Sequence, residues 1–93
     1  MRDGAGRVVG IRLRGHGGEK WAVRGSADGL FYDPAMTWTG DIAVCEGPTD
    51  TAAALTLGLS AVGRPSCASG AEALRALVRR LGCRSVTVVL ATR

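Results

Sequence analysis

Hydrophobic and polar positions alternate in the first part of the chain, as they do in a β-hairpin. Residues 7–14 alternate late in the run, with Ile11 and Leu13 on one face and Arg12 and Arg14 on the other, which predicts a half-buried strand with a basic outer face. The glycine-rich residues 15–18 suit a tight turn, and residues 20–24 supply the return strand. We expect residues 30–32 to add a third short strand.

The pattern changes after residue 40, where short apolar runs alternate with helical periodicity. Residues 41–45 are almost continuously hydrophobic, as expected for a strand that is buried on both faces. A helix is predicted to begin at Pro48 and to end at Gly58. Its apolar face is predicted from positions three and four apart, which are Ala52, Leu55 and Leu59. Residues 60–63 follow as a very short strand.

A second helix and a third strand complete this pattern. Ser69 and Glu72 have the spacing of a capping box, and Gly82 closes the helix. The apolar stripe of this helix consists of Leu74, Leu77, Val78 and Leu81. Residues 85–90 are rich in valine and are predicted to form a buried strand. The order β-α-β-α-β implies a parallel sheet with right-handed crossovers, so the predicted fold class is α/β.

Composition limits the fold and the compartment. The chain has 93 residues, of which 46% are hydrophobic and 22% charged, and this favours one small folded unit over a disordered chain. A change in composition divides it into a β-hairpin region, residues 1–40, and an α/β unit, residues 41–93. No apolar run approaches the roughly 20 residues of a transmembrane helix, and the N-terminus has no apolar signal segment. We therefore expect a cytoplasmic protein without a membrane partner.

Cysteine and histidine positions show no metal-site pattern. The three cysteines, Cys45, Cys67 and Cys83, lie far apart in the chain, and His16 is the only histidine. We expect the thiols to be reduced and buried, and we expect no zinc site within the chain.

Two carboxylates lie where parallel sheets carry their ligands, beyond the carboxyl ends of the strands. Glu46 directly follows the first strand of the α/β unit, and Asp50 falls in the first turn of the next helix. Such a pair suits Mg²⁺, which takes few carboxylates together with water and phosphate oxygens. Spacing alone favours another interpretation of Asp50, as an acid that stabilises the positive end of the helix dipole.

The hairpin carries a candidate nucleic-acid surface. The net charge is +4, and eleven of the twelve basic residues are arginines, which suit bidentate phosphate contacts. The candidate contacts are the basic and aromatic residues of the two strands: Arg12, Arg14, Lys20, Trp21 and Arg24. An exposed Trp21 would stack on a base while the basic side chains hold phosphates. The alternative, which the pattern favours, places Trp21 beneath the hairpin as its main core residue.

These segments together resemble a known family. Glu46, Gly47 and Asp50, between a hydrophobic strand and an Ala/Leu-rich helix, resemble the first motif of Toprim domains. Toprim domains occur in DNA primases, topoisomerases and related nucleases. The segment that precedes Toprim in phage- and plasmid-type primases and primase-helicases is similar to residues 6–14, 20–26 and 29–31. The resemblance covers nearly the whole chain and implies a Rossmann-like Toprim unit.

The resemblance also implies a function in DNA replication, namely Mg²⁺-dependent synthesis of RNA primers by nucleotidyl transfer. It implies a DNA template, nucleotides and a replicative helicase as partners. Glu46 matches the family glutamate, which is an acid/base or a metal ligand. Asp50 would be a second ligand of the Mg²⁺.

The chain departs from the family after its third predicted strand. In place of the Asp-x-Asp pair that binds the catalytic metals, the sequence reads Ala91, Thr92 and Arg93, and no carboxylate follows Glu72. We therefore expect an incomplete Toprim unit that is inactive alone, binds Mg²⁺ weakly and has an exposed last strand. Two alternatives stay open: a non-catalytic nucleic-acid-binding module, and an interaction module whose sheet a partner chain completes.

Overall fold

The described chain forms two small sheets and two helices. A computed structural model describes residues 1–36, 38, 40–66 and 69–89. In chain order the elements are β1 (Arg12–Arg14), β2 (Lys20–Ala22), β3 (Asp41–Glu46), α1 (Gly47–Thr56), β4 (Ala61–Arg64), α2 (Ala71–Leu81) and β5 (Ser85–Val88). This is the predicted α/β class, a hairpin followed by a β-α-β-α-β unit. As far as the described residues extend, neither helix is long and apolar enough to cross a membrane.

The α/β unit is built on a parallel sheet in which β3 is the central strand. β4 pairs with β3 on one side and β5 on the other. The register places Val44 of β3 beside Val62 and Val88. Ile42, Val44 and Cys45 are buried, as the hydrophobic run predicts. Because the strands are parallel, their carboxyl ends meet at one edge of the sheet, where Glu46 lies.

One buried cluster connects the two predicted segments. It consists of Leu30, Ile42, Val62 and Leu77. Leu30 precedes residue 40 and is 0% exposed. Its neighbour Phe31 exchanges two backbone hydrogen bonds with Gly63 of β4, at 2.9 and 2.7 Å. The N-terminal segment is therefore held to the sheet by apolar packing and by backbone pairing.

The face that α1 buries differs from the predicted one. Thr51 and Ala54 are buried, whereas Ala52 and Leu59 are exposed and Leu55 is partly buried. The physical reason is the close approach of α1 to β4 at Gly63, which places Thr51 and Ala54 against the sheet. Hydrophobic spacing passes over a threonine as a core residue, and it therefore predicted a face of which only Leu55 packs against a buried cluster.

The glycines and the proline at the helix ends act as predicted. Pro48 occupies the first turn of α1, and Gly58 follows its last turn with a φ of +88°. Gly82 is the C-cap of α2 in the left-handed conformation. The stripe that α2 turns toward the core consists of Leu74, Leu77, Val78 and Leu81, all buried or partly buried.

The predicted capping box at the start of α2 is wrong. The residue that precedes the helix is Gly70, with a φ of +83° and no side-chain cap. The Ser69 hydroxyl instead makes a 2.8 Å hydrogen bond with the Ser66 hydroxyl. Because Gly70 occupies the N-cap position in a left-handed conformation, Ser69 lies one residue before the cap. Glu72 therefore cannot form a capping box with it. Cys67 and Ala68, between the two serines, lie outside the described residues.

The hairpin forms, but it is not half-buried as predicted. Leu13 pairs with Trp21, and the Gly15 amide donates to the Glu19 carbonyl at 2.8 Å to close the turn. All residues of β1 and β2 are exposed, because two three-residue strands present too little apolar area to hold a covering layer. In place of the third strand predicted at residues 30–32, Leu30 and Phe31 each form one isolated bridge.

Among the described strands β5 lies at the edge of the sheet, and the prediction that it is buried is wrong. All four residues of β5 are exposed, and Val88 is 64% exposed. β5 pairs on one side with β3, which confirms the expected exposed last strand. The predicted end of this strand, Leu90, lies outside the described residues.

The N-terminal segment is tied down by Asp3. Its carboxylate accepts the backbone N–H groups of Ala5 and Arg7, each at 3.0 Å, and the Arg7 Nε at 2.9 Å. The hydrogen bond from the Arg7 backbone, followed by the Arg7 side chain and the Ala5 backbone, lowers the pKa of Asp3 from its ordinary value of 3.8. Asp3 therefore stabilises the fold in its ionised form.

This arrangement predicts a loss of stability in acid. Because the folded pKa is below the unfolded one, the contribution of Asp3 is complete above about pH 3.8 and is lost as the pH falls through the folded pKa. Melting temperatures measured from pH 6 to pH 2 should fall less steeply in Asp3→Asn than in the parent, and the variant should melt lower at pH 6. Glu72→Gln, at an exposed position, is the control. Parallel curves for parent and Asp3→Asn would contradict the prediction.

Candidate functional site

A cleft of about 230 Å³ lies between the hairpin and the junction of β3 with α1. Its charged lining consists of Arg12, Arg14, Lys20, Glu46 and Asp50. The sequence assigned the basic residues and the carboxylates to two separate sites. The fold brings both sets into one cleft, at the predicted carboxyl end of the central strand.

Glu46 is held at the turn from strand to helix. It is the last residue of β3, and the next residue, Gly47, has a φ of +77°. A side chain at Gly47 would be strained in this left-handed conformation, which explains a glycine directly after the glutamate. Within the described part of the chain, no hydrogen bond or ion pair engages the Glu46 carboxylate. The carboxylate is exposed and accessible to a ligand.

Asp50 lies in the first turn of α1 and lines the cleft. This position is compatible with both interpretations that the sequence left open and does not choose between them: Asp50 lies at the positive end of the helix dipole and also lines the cleft. The charge of Asp50 also reaches Cys45. Burial, and then the Asp50 charge, raise the pKa of the Cys45 thiol, so this thiol is protonated at neutral pH and is a poor nucleophile.

The start of α1 packs on β4 through a glycine. The buried Thr51 hydroxyl donates to the Gly47 carbonyl at 2.7 Å. A Cβ at Gly63 would collide with Thr51 Oγ1 and would lie 2.8 Å from the Gly47 carbonyl oxygen. Because Gly63 has no side chain, α1 packs closely against β4. This packing fixes the position of the Glu46–Asp50 turn relative to the sheet.

Replacing Gly63 with alanine should displace this turn. Overpacking of this kind costs roughly 1–3 kcal/mol, so we expect a clear loss in the free energy of unfolding measured by urea denaturation. Gly17→Ala is the control, since Gly17 has no positive φ and a Cβ there would meet only the end of the flexible Glu19 side chain. A Gly63→Ala variant no less stable than Gly17→Ala would show that α1 does not pack as described.

The hairpin presents different side chains on its two faces. Arg12, Arg14 and Lys20 share one face because Arg14 pairs with Lys20. Leu13 and Trp21 pair on the opposite face, and Trp21 is 50% exposed. The interpretation of Trp21 as the main core residue of the hairpin is therefore wrong.

Not every predicted contact reaches the cleft. Trp21 is on the outer face of the hairpin, and Arg24 follows β2 in an exposed turn; neither lines the cleft. Arg12 also makes a 3.4 Å ion pair with Asp28. Arg14 and Lys20 are therefore the cations of the cleft without such a pair among the described residues.

Sequence reasoning missed Arg64 and Phe31. Arg64 ends β4 and pairs in register with Glu46, and Phe31 lines the cleft. A signal for Arg64 existed, since it is the polar residue at the carboxyl end of the neighbouring strand. Phe31 carried no such signal, because its place depends on the bridge to Gly63.

The two carboxylates suit only a cation that a ligand helps to hold. Within the described residues, no group of three or more His, Cys, Asp or Glu side chains is placed to bind a metal. Mg²⁺ is commonly bound by one or two carboxylates together with water and substrate phosphates. The adjacent Arg14 and Lys20 would attract such phosphates, so the donor set fits a phosphate-bridged ion.

Comparisons of the chain with models of protein families, with curated proteins and with solved structures found no match.

Proposed function

We propose that this chain is a Toprim-type, primase-like protein of DNA replication whose cleft binds the phosphates of a nucleic acid together with Mg²⁺. The observation that supports the proposal is the shared lining of the cleft, where Glu46 and Asp50 accompany Arg12, Arg14 and Lys20. Carboxylates beside cations are a costly arrangement for a simple anion site. They are useful where a divalent cation joins a carboxylate to a phosphate.

Each group has a distinct task in this proposal. Arg14 and Lys20 hold successive phosphates, and Arg12 supports them from the same hairpin face. Glu46 and Asp50 would hold Mg²⁺, which when bound neutralises charge on a phosphate group. In the alternative role that the resemblance implies for this glutamate, Glu46 would not hold the Mg²⁺ and its exposed carboxylate would instead accept a proton from a hydroxyl group of the ligand.

We propose further that the chain alone does not synthesise primers. Nucleotidyl transfer in the family uses the Asp-x-Asp pair, and the sequence has no carboxylate after Glu72. A DNA template, nucleotides and a replicative helicase are the partners that this proposal implies, and the cytoplasm is the compartment.

A non-catalytic nucleic-acid-binding module is the second candidate function. The half-exposed Trp21 favours it, because an exposed indole beside basic strands offers a stacking surface for a base. The exposed edge of β5 favours the third possibility, an interaction module whose sheet is completed by a partner chain.

Binding of a fluorescein-labelled 12-nucleotide DNA strand, followed by anisotropy, tests the proposal. Neutralising two phosphate contacts in Arg14→Gln/Lys20→Gln should weaken binding roughly tenfold or more at 50 mM salt and should reduce the dependence of log affinity on log salt by about 1.4. Arg75→Gln/Arg79→Gln, on the exposed face of α2, is the matched control and should change affinity less. Equal effects of the two double variants would refute a specific cleft.

A further inference from the structure

A second, smaller cavity adjoins the cleft, and Glu46 lines both. This recess has a volume of about 110 Å³. Its rim is polar and contains Glu46, Arg64 and Ser66. Its walls are apolar and include Val44, Leu74, Val86 and Val88.

The recess exists because α2 covers only part of the sheet. Leu77 packs against Ile42 and Val62, on β3 and β4. Val86 and Val88 of β5 remain 47% and 64% exposed. In the strand register, Val88 lies beside the buried Val44 on the same face of the sheet. The exposed valines of β5 therefore continue the apolar face of the core as far as the recess.

Arg64 is fixed at the rim of this recess. Its Nε donates to the Ser69 carbonyl at 2.9 Å, and its backbone pairs with that of Glu46. The guanidinium plane is therefore held by one hydrogen bond, and its other nitrogens have no partner among the described residues. A planar cation held at the edge of an apolar hollow is suited to stack on, or donate to, an aromatic ring.

We propose that the recess accepts one unpaired base of a strand whose phosphates lie in the neighbouring cleft. This inference rests on the proposed function and adds a subsite to it. At about 110 Å³ the recess is smaller than the cavity of about 150 Å³ that encloses a benzene ring, so a base would enter it only in part and would lay one face on the exposed Val86 and Val88. The chemistry agrees, since a base has apolar faces for the valines and a polar edge for Arg64 and Glu46. Glu46 lines both cavities, and the proposal therefore places a phosphate in the cleft and a base of the same strand in the recess.

Two labelled strands of equal length and charge test the proposal: a 12-nucleotide oligothymidine and a 12-nucleotide abasic strand. Both present the same phosphates, but only the first has bases. The parent protein should bind oligothymidine at least about fivefold more tightly than the abasic strand. Val88→Asn should bring this ratio close to one, and Arg64→Gln should lower it. Val8→Asn is the matched control, since Val8 is 62% exposed and lines neither cavity.

The outcomes separate this inference from the proposed function. If the parent binds both strands equally while Arg14→Gln/Lys20→Gln still weakens binding of both, the cleft stands and the base subsite is refuted. If the preference for oligothymidine is lost in Trp21→Ala but kept in Val88→Asn, the base lies on the hairpin and the inference is overturned. Light scattering tests a third outcome. If the parent forms a dimer that persists with saturating oligothymidine and that Val88→Asn dissociates, a second copy of the chain occupies β5, and the inference is overturned. Unchanged melting temperatures of Val88→Asn and Arg64→Gln confirm that the variants are folded.

Discussion

Replacing Leu30 with alanine is expected to lower the free energy of unfolding by about 2–5 kcal/mol, as large-to-small core substitutions do. Leu30 is 0% exposed and packs with Ile42, Val62 and Leu77. It is the fully buried member of the cluster from residues 1–40, and the partly buried Tyr32 and Trp38 of the same region pack against it. A domain of this size has a total stability of roughly 5–14 kcal/mol, so the loss is a large fraction of that stability, and at the lower end of the range it would leave part of the protein unfolded at 37 °C.

Chemical denaturation followed by circular dichroism and by tryptophan fluorescence measures the effect. Leu57→Ala is the control with the same chemical change, because Leu57 is 80% exposed, and it should alter stability by no more than about 0.5 kcal/mol. The two signals should change together in a single transition, since the cluster spans both predicted segments. A small loss for Leu30→Ala, or separate transitions, would show that residues 1–40 and 41–93 fold independently.

Neutralising both cleft carboxylates, in Glu46→Gln/Asp50→Asn, is expected to reverse the effect of Mg²⁺ on nucleic-acid binding. Without Mg²⁺ the two negative charges repel phosphates in the cleft. Each repulsion over about 4 Å is worth roughly 1 kcal/mol in water, so in EDTA the variant should bind the 12-nucleotide strand about 5- to 30-fold more tightly than the parent. Adding 5 mM Mg²⁺ should strengthen binding by the parent, because the cation joins carboxylate to phosphate. In the variant Mg²⁺ only screens the basic residues and should weaken binding.

Asp33→Asn/Glu72→Gln provides the control for net charge. It removes the same two charges from exposed positions outside the cleft. This control should keep the positive response to Mg²⁺ and change affinity in EDTA only slightly. An increase in affinity with Mg²⁺ that survives in Glu46→Gln/Asp50→Asn would exclude these carboxylates as the cation site.

The position of the two cleft carboxylates was readily predicted from the sequence, and the placement of the hairpin side chains was predicted only in part. Glu46 could be placed because a hydrophobic strand followed by Glu-Gly and a proline-started helix leaves only one location for the carboxylate, the carboxyl end of the strand. Trp21 could not be placed, because strand alternation assigns a residue to a face but does not say whether anything covers that face. The failed capping box at Ser69 has a similar origin, since the left-handed Gly70 enters between the serine and α2.

The order of strands and helices and the carboxylate pair at the end of β3 were determined by the sequence alone. They depend on local periodicity, on proline and glycine conformations and on chain direction, all of which act over a few residues. The tertiary structure decided which of these features meet. The basic face of the hairpin lines the same cleft as Glu46, Arg64 comes to lie beside Glu46, and β5 is left at the edge. These outcomes depend on contacts between residues far apart in the chain, such as Leu30 with Leu77 and Phe31 with Gly63, and packing over such separations leaves no local pattern in the sequence.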